Sequence, residues 1–362
     1  MAYTDGRNYS LPGVIGDTTG TPPTDANGRK ELFLKKFSGF VAASYARESV
    51  AASKVMHFPL TNGKSQSIPV QGRMGARYHT IGTPLKGLGG PALNEIIINV
   101  NKELISDHLT ARIDDLMTHW RYEAQVSVDM GRALARSYDQ LILRLYAIAA
   151  GITHSDLGDN TSNTQLGGLL AGEQQIRTGT LLTATAGSAT PDTYVAAFAA
   201  AQQALFEKDC PMSAPVAYCT PHAASFVAQS SRALSTEFAG NNGTYQQGSV
   251  GRLFGFDIVP TNNIAQGNVT QANDPRIEGE NGFESDFLSS GDAMTSAVDM
   301  TNFEVLFVGG PAVADVQLSG LQTNVTGNDF YTENRATLMT AAYIMGAGII
   351  NPQCVAAFKV TP

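Results

Sequence analysis

The residues best suited to move a proton or hold a metal are six histidines: His57, His79, His108, His119, His154 and His222. None lies in an HExxH or comparable ligand spacing. Asp115 and His119 are four residues apart on a helical pattern and would share one face. A polar helix surface produces such pairs by chance. Asp107–His108 has no serine or cysteine elbow near it to activate. The three cysteines, Cys210, Cys219 and Cys354, include no CxxC pair and are odd in number. They fit small buried apolar residues made in a reducing cytoplasm, not a disulfide framework or zinc knuckle. The glycine run GLGG (87–90) leads into PALNEIIINV, a strand pattern and not a phosphate-cradling helix. Neither GxGxxG nor GxxxxGK[ST] occurs. The expectation is no catalytic residue, no metal and no cofactor.

The elements that would position such groups are themselves informative. Residues 1–28 are polar and rich in Gly, Pro and Thr, and read as a flexible arm. Residues 29–54 carry six basic residues, Arg29, Lys30, Lys35, Lys36, Arg47 and Lys54, against Glu31 and Glu48. A short amphipathic helix fits 30–48. Its basic side could face DNA, an acidic neighbour or solvent. KVMHFPL, SQSIPVQG and NEIIINVN then read as three strand pieces, with Asn62–Gly63 as a turn. Between the second and third lies MGARYHTIGTPLKGLGGPA, with five glycines and two prolines. It has too little to bury, and reads as a loop projecting on a strand pair that a partner would order.

From Ile113 to Ala149, apolar residues recur at steps of three and four for about ten turns. Thr110 is the expected N-cap, Asp114 and Asp115 suit the first turns, and Gly151 suits the end. Such a rod would be about 60 Å long, and its pattern is not a strict heptad. Residues 152–190 read as loop. A helix is expected at 192–208 with Val195, Phe198, Ala201, Leu205 and Phe206 inward. APVAYC (214–219) reads as a strand, and Thr220–Pro221 as a cap with proline at the first helical position. GFDIVP (255–260), FEVLFVG (303–309) and VADVQL (313–318) read as strands. Residues 274–304 hold eight acids against Arg276 alone, a solvated acidic surface. A helix near 335–346 and a final strand at 354–360 complete the pattern. There is no internal repeat.

Over the 362 residues, 43% are hydrophobic and only 15% charged, against about a quarter charged in ordinary soluble domains. Sparse charge leaves room for contacts with other chains. A net charge of -8 argues against wrapping nucleic acid as the main task. The N-terminus has no signal-peptide core. The apolar stretches 141–151 and 338–350 fall short of the roughly 20 residues that span a bilayer.

Several blocks in order resemble one known family. NEIIINVNKELISDHLTARIDDLMTHWRYEAQVSVDMGRALA (94–135) is similar to the strand and spine-helix start of major capsid proteins from short-tailed phages of the T-seven type, podoviruses. The carrying residues are Ile113, Asp114, Asp115, Leu116, Met117, Thr118, His119 and Trp120. ELFLKKFSGFVAASYARESV (31–50), NGKSQSIPVQGR (62–73), GRLFGFDIVP (251–260) and YIMGAGIINPQCVAAFKV (343–360) resemble further blocks of that family. The resemblance implies an α+β, Hong Kong 97-like capsid fold. It implies an N-terminal arm at 1–53, an extended loop at 54–104 and a peripheral domain with a spine helix at 105–190. An axial domain at 191–324 and a return to the peripheral domain at 325–362 follow. It implies hexamers and pentamers of this chain in an icosahedral shell around packaged double-stranded DNA. The implied partners are a scaffolding protein, a portal at one vertex and a decoration protein. The chain starts close to its arm, so the scaffold is expected to be a separate protein. Assembly is expected in the host cytoplasm, with no membrane partner.

Within that frame, Arg73, Arg77 and Lys86 in the projecting loop are candidates for meeting acids of an adjacent subunit, and Trp120 is a further contact candidate. Arg29, Lys30, Lys35 and Lys36 are candidates for the inner, DNA-facing surface. Three other readings differ in what they require. An enzyme with an unrecognised site, a hydrolase for example, needs converging titratable groups. An encapsulin-like compartment shell needs cargo. A tail or fibre protein normally shows repeats, and none is present.

Overall fold

A computed structural model describes residues 27–71, 78–84, 93–100, 103–111, 122–152, 178–230, 243–244, 249–264, 268–269, 298–326 and 335–361, with backbone alone for 27–36 and a few other residues. Residues 1–26 of the expected arm, 113–121 of the expected long helix with Asp115, His119 and Trp120, His154, and most of the acidic segment lie outside these. So do Arg73, Arg77 and Lys86.

Helix α1 spans Asn27–Glu48 and carries Arg29, Lys30, Lys35 and Lys36. Strand β1 (Met56–Pro59) precedes the pair β2 (Ser65–Gln71) and β3 (Leu93–Asn99). Strand β4 (Glu103–Ala111) leads to the long helix α2 (Tyr122–Gly151). Strand β5 (Thr180–Thr185), helix α3 (Pro191–Glu207), strand β6 (Val216–Cys219) and helix α4 (Pro221–Gln229) follow. Short pairs come next: β7 (Gly243–Thr244) with β8 (Ser249–Val250), and β9 (Arg252–Leu253) with β10 (Phe256–Pro260). A further pair joins β11 (Asn268–Val269) and β12 (Val298–Asp299). The chain closes with β13 (Phe303–Val308), β14 (Val313–Val325), β15 (Ala336–Ile349) and β16 (Val355–Thr361).

Two compact units emerge: Met1–Val50, Glu103–Tyr138 and Ser319–Ile344 form the first, and the remainder forms the second. In the first unit, β15 pairs antiparallel with β4 over nine residues, Ala336↔Ala111 to Ile344↔Glu103. Phe37 and Val41 of α1 and Met130 and Leu134 of α2 cover one face of this sheet, against Met339 and Ala341. Gly131 permits the close helix crossing: a Cβ there would lie 2.6 Å from the Val41 carbonyl oxygen. Three tyrosines, Tyr45, Tyr138 and Tyr343, pack edge-on or tilted with centroids 6.1–6.2 Å apart.

The second unit holds a mixed six-stranded sheet in the order β5-β16-β13-β6-β10-β9. On one face Phe307 and Phe256 meet Phe198 of α3, and Phe358 meets Tyr194. On the other, Tyr218 of β6 stacks on Tyr146, in the second half of α2, at 6.2 Å. Helices on both faces explain why β6 and β13 are unbroken apolar runs. Thr220 caps α4 as expected, accepting from the Ala223 N–H at 3.1 Å.

Three expectations need correction. Residues 335–346 form strand β15, not a helix. Met339, Ala341, Tyr343, Met345 and Ala347 are buried at every second position, the period of a strand. Pairing with β4 outweighs the helix preference of the Ala, Leu and Met residues there. Thr110 lies inside β4 and is not an N-cap. Phe206, expected inward, is more than half exposed, one step beyond the buried Leu205. Two of the longer strands went unread, β4 itself and β5 within what read as loop, as did the two-residue strands β7, β8, β11 and β12. Among the described residues, no helix is long and apolar enough to cross a membrane.

Candidate assembly surfaces

The β2–β3 ribbon is built by strict register, from Ser65↔Asn99 to Gln71↔Leu93. Gly63, at φ +117°, makes the turn into it, a backbone angle that side chains disfavour. The Val100 N–H closes its base on the Lys64 carbonyl at 2.7 Å. Ile98 is buried, and Gly346 and Gly348 of β15 are the reason. A Cβ at Gly348 would stand 2.8 Å from Ile98 Cγ1, and one at Gly346 would overlap the Asn99 carbonyl oxygen. The ribbon thus sits on bare backbone at its base. Beyond the base it changes character. Among the described residues, β2 and β3 pair only with each other. One face shows Ser65, Ser67 and Pro69 opposite Asn99, Ile97 and Glu95, all exposed. The Ser67 hydroxyl donates to Glu95 Oε2 at 2.6 Å across this face. Tyr78 and Ile81, in the segment the two strands carry, are wholly exposed. Exposed apolar side chains on a two-stranded ribbon are unstable in water unless something covers them.

A second bare surface belongs to the first unit. Ile105 and Leu109 of β4 point away from the helices and are more than half exposed. Asp107 shares their face, while His108 points to the other, so the two cannot act as a pair. At the end of α1, Glu48 Oε1 accepts from Arg47 at 3.0 Å and from Arg132 at 3.3 Å. The Arg47 hydrogen bond, helped by Arg132, holds its carboxyl below the usual glutamate range.

Several other titratable groups among the described residues serve packing. His57 Nδ1 lies 2.6 Å from Asp315, which is wholly buried, and Gln317 donates to the same carboxylate at 3.2 Å. The two residues are register partners of the parallel β1–β14 pair. The Thr220 hydroxyl donates to Glu304, with His222 3.4 Å from the same oxygen. Lys208 ends α3 by donating to the carbonyls of Thr178 and Gly179 and to the Thr180 hydroxyl. Burial brings its ammonium down to about 8. Asp139 of α2 is buried and accepts from the Ala51 N–H and the Asn263 amide. Among the described residues, no group of three or more His, Cys, Asp or Glu side chains is placed to hold a metal. Asp139 and Asp315 escaped the sequence reading; their signal was an isolated carboxylate inside an apolar run.

Solved structures with this arrangement include phage capsids. The capsid of Cyanophage P-SCSP1u superposes with a TM-score of 0.67 at 22% identity, over 85% of this chain and 86% of that one. The mature capsid of bacteriophage PhiM1 gives 0.64 at 15%, over 86% and 87%. The fold is that of Hong Kong 97-like tailed-phage capsid proteins. The family model described as Gp10A-like, major capsid protein, matches residues 67–359, and the chain belongs to that family. It is 27% identical over 349 residues to the major capsid protein of Escherichia phage T7, spanning 96% of this chain and 97% of that protein. The minor capsid protein of the same phage is 26% identical over 344 residues, 95% of this chain and 83% of that one. The protein is therefore a structural component of the virion that self-assembles into an icosahedral shell, and not an enzyme.

Proposed function

We propose that this chain is the principal head subunit, that its pentamers and hexamers enclose packaged double-stranded DNA, and that the β2–β3 ribbon is its main handle on a neighbour. In this reading residues 1–53 are the arm and 54–104 the extended loop. Residues 105–190 and 325–362 form the peripheral domain, with α2 as its spine, and 191–324 the axial domain. A scaffolding protein guides assembly in the host cytoplasm, a portal occupies one vertex, and the polar segments give a decoration protein its platform. The observation that carries the reading is the ribbon: two strands with no third among the described residues, carrying Tyr78, Ile81 and Ile97 into solvent. Their apolar surface gains, at about 25 cal/mol per Å², only when a partner removes it from water.

Arg73, Arg77 and Lys86 lie in the same loop and are assigned to acids of the adjacent subunit, with Trp120 a second contact. Two variants test this: Tyr78→Ser with Ile81→Ser, and Arg73→Glu with Arg77→Glu and Lys86→Glu. Each is expected to leave a folded subunit and to cut shell yield at least tenfold, read by sedimentation and electron microscopy. Unchanged yield in both would remove the ribbon from the assembly contact.

Arg29, Lys30, Lys35 and Lys36 on α1 are assigned to the inner surface. Non-specific contact of basic side chains with phosphates is favourable whatever the DNA sequence. Ultraviolet or formaldehyde crosslinking of filled heads is expected to recover peptides of 27–48 bound to DNA. Recovery of outer-surface peptides alone would reverse the assignment.

A further inference from the structure

Two of the three cysteines are neighbours in space although 144 positions separate them in sequence (354 − 210). Cys210 follows α3, where its N–H closes the helix on the Leu205 carbonyl at 3.1 Å. Cys354 ends the 3-10 turn Pro352–Cys354 that opens β16. Gly309 and Gly310, after β13, lie against both. The Gly309 N–H donates to the Cys354 carbonyl at 2.9 Å. A Cβ at Gly309 would stand 3.0 Å from Cys210 Sγ, and one at Gly310 would stand 3.7 Å from Cys354 Sγ. Glycine at these two positions makes the room the thiols occupy. The two thiols lie near enough for each to act on the other's ionisation. Cys219 stands apart in β6, wholly buried, its sulfur on its own strand's Ala217 carbonyl at 3.7 Å.

We infer that Cys210 and Cys354 are an oxidation site that closes to an intramolecular disulfide when the shell meets a peroxide. The inference rests on packing inside the second unit alone, so it stands or falls apart from the assembly reading. The roles of the two thiols differ. The Cys210 thiol lowers the Cys354 pKa, while Cys354 and burial raise the Cys210 pKa. Cys354 is the nucleophile, since the thiolate is the reactive form. Its sulfur attacks one peroxide oxygen, the O–O bond breaks, and a sulfenic acid forms as water leaves. The Cys210 sulfur then attacks the sulfenic sulfur, losing its proton, and a second water leaves. Two thiols and one hydrogen peroxide give one disulfide and two waters. Closure brings the two sulfurs to bonding distance, about 2.05 Å. The product ties the end of α3 to the first residue before β16, the strand between β5 and β13. A particle that leaves a reducing cytoplasm would thereby gain a covalent lock it could not hold inside the cell.

The test uses purified shells and, in parallel, the unassembled full chain. Each is treated with hydrogen peroxide, alkylated under denaturing conditions and digested without reductant. The expected result is loss of two of the three thiols and a mass decrease of about 2 Da per chain. A peptide joining Cys210 to Cys354 appears, Cys219 stays alkylated, and dithiothreitol restores all three thiols. The oxidised chain unfolds at a higher temperature than the reduced one, and Cys354→Ser removes both the mass change and the temperature shift. Oxygen added to Cys210 or Cys354 without a link, a link through Cys219 or between chains, or three intact thiols would each overturn the inference.

Discussion

Gly346→Ala is expected to lower shell yield severely, while Gly39→Ala, the same chemical change, leaves assembly intact and firms its helix. The difference is local. A methyl group at Gly346 would overlap the Asn99 carbonyl oxygen and stand 3.0 Å from its carbon. Those atoms belong to backbone at the end of β3, so no side chain can rotate away. Overpacking of this kind costs about 1–3 kcal/mol. The strain is relieved by moving the base of the β2–β3 ribbon off β15, which alters the aim of Tyr78 and Ile81. Gly39 is exposed in α1, with nothing within 4 Å of the added carbon. There alanine gains up to about 1 kcal/mol of helix propensity. Sedimentation of assembled against unassembled protein reads the yield. Limited proteolysis reads the ribbon, and cleavage within 60–100 is expected to quicken for Gly346→Ala only. If the Gly346 variant assembled and resisted protease like the parent, bare backbone at the ribbon's base would not set its position.

Gly346 and Gly348 show where sequence reading stopped. YIMGAGII contains helix formers and glycines, and its burial at every second residue becomes visible only once β4 is its partner. A single strand carries no sign of what it pairs with. Elements whose signal is internal were legible: the period of α2 through Gly151, the Thr220–Pro221 cap and the β2–β3 pair. So were β6 and β13, because sheets covered on both faces write themselves as apolar runs. β5 was not, since TLLTAT alternates with small polar residues inside a longer polar stretch and is held by pairing with β16. That the histidines and cysteines follow no ligand or nucleophile spacing was legible. The burial of the Asp139 and Asp315 carboxylates was not. A charge in an apolar run states that it is satisfied without naming by whom. The proximity of Cys210 and Cys354 was hidden for the same reason, because the end of α3 and the start of β16 lie far apart in the chain.

Asp139→Ala is expected to be the most damaging single truncation among these buried groups, lowering the unfolding free energy of the unassembled subunit by about 3 kcal/mol. Asp139 is wholly buried in α2. Its Oδ1 accepts from the Ala51 N–H at 3.1 Å and its Oδ2 from the Asn263 amide at 3.2 Å. Alanine removes both acceptors, leaves the Ala51 N–H and the half-buried Asn263 amide without this partner, and opens a void between three chain segments. An unsatisfied buried donor costs about 1–3 kcal/mol, so the two donors together outweigh what the lost carboxylate would save in desolvation. Asp139→Asn separates the terms. Its shape is nearly the same and its carbonyl can still receive the Ala51 N–H, but its amide then opposes that of Asn263. The expected loss is about half as large. The measurement is the urea midpoint and slope followed by circular dichroism, with the slope expected unchanged. Equal losses for Asn and Ala would show that negative charge matters more than either hydrogen bond. A midpoint at the parental value for both would show that the two donors find other partners, and that α2 is not pinned through this carboxylate.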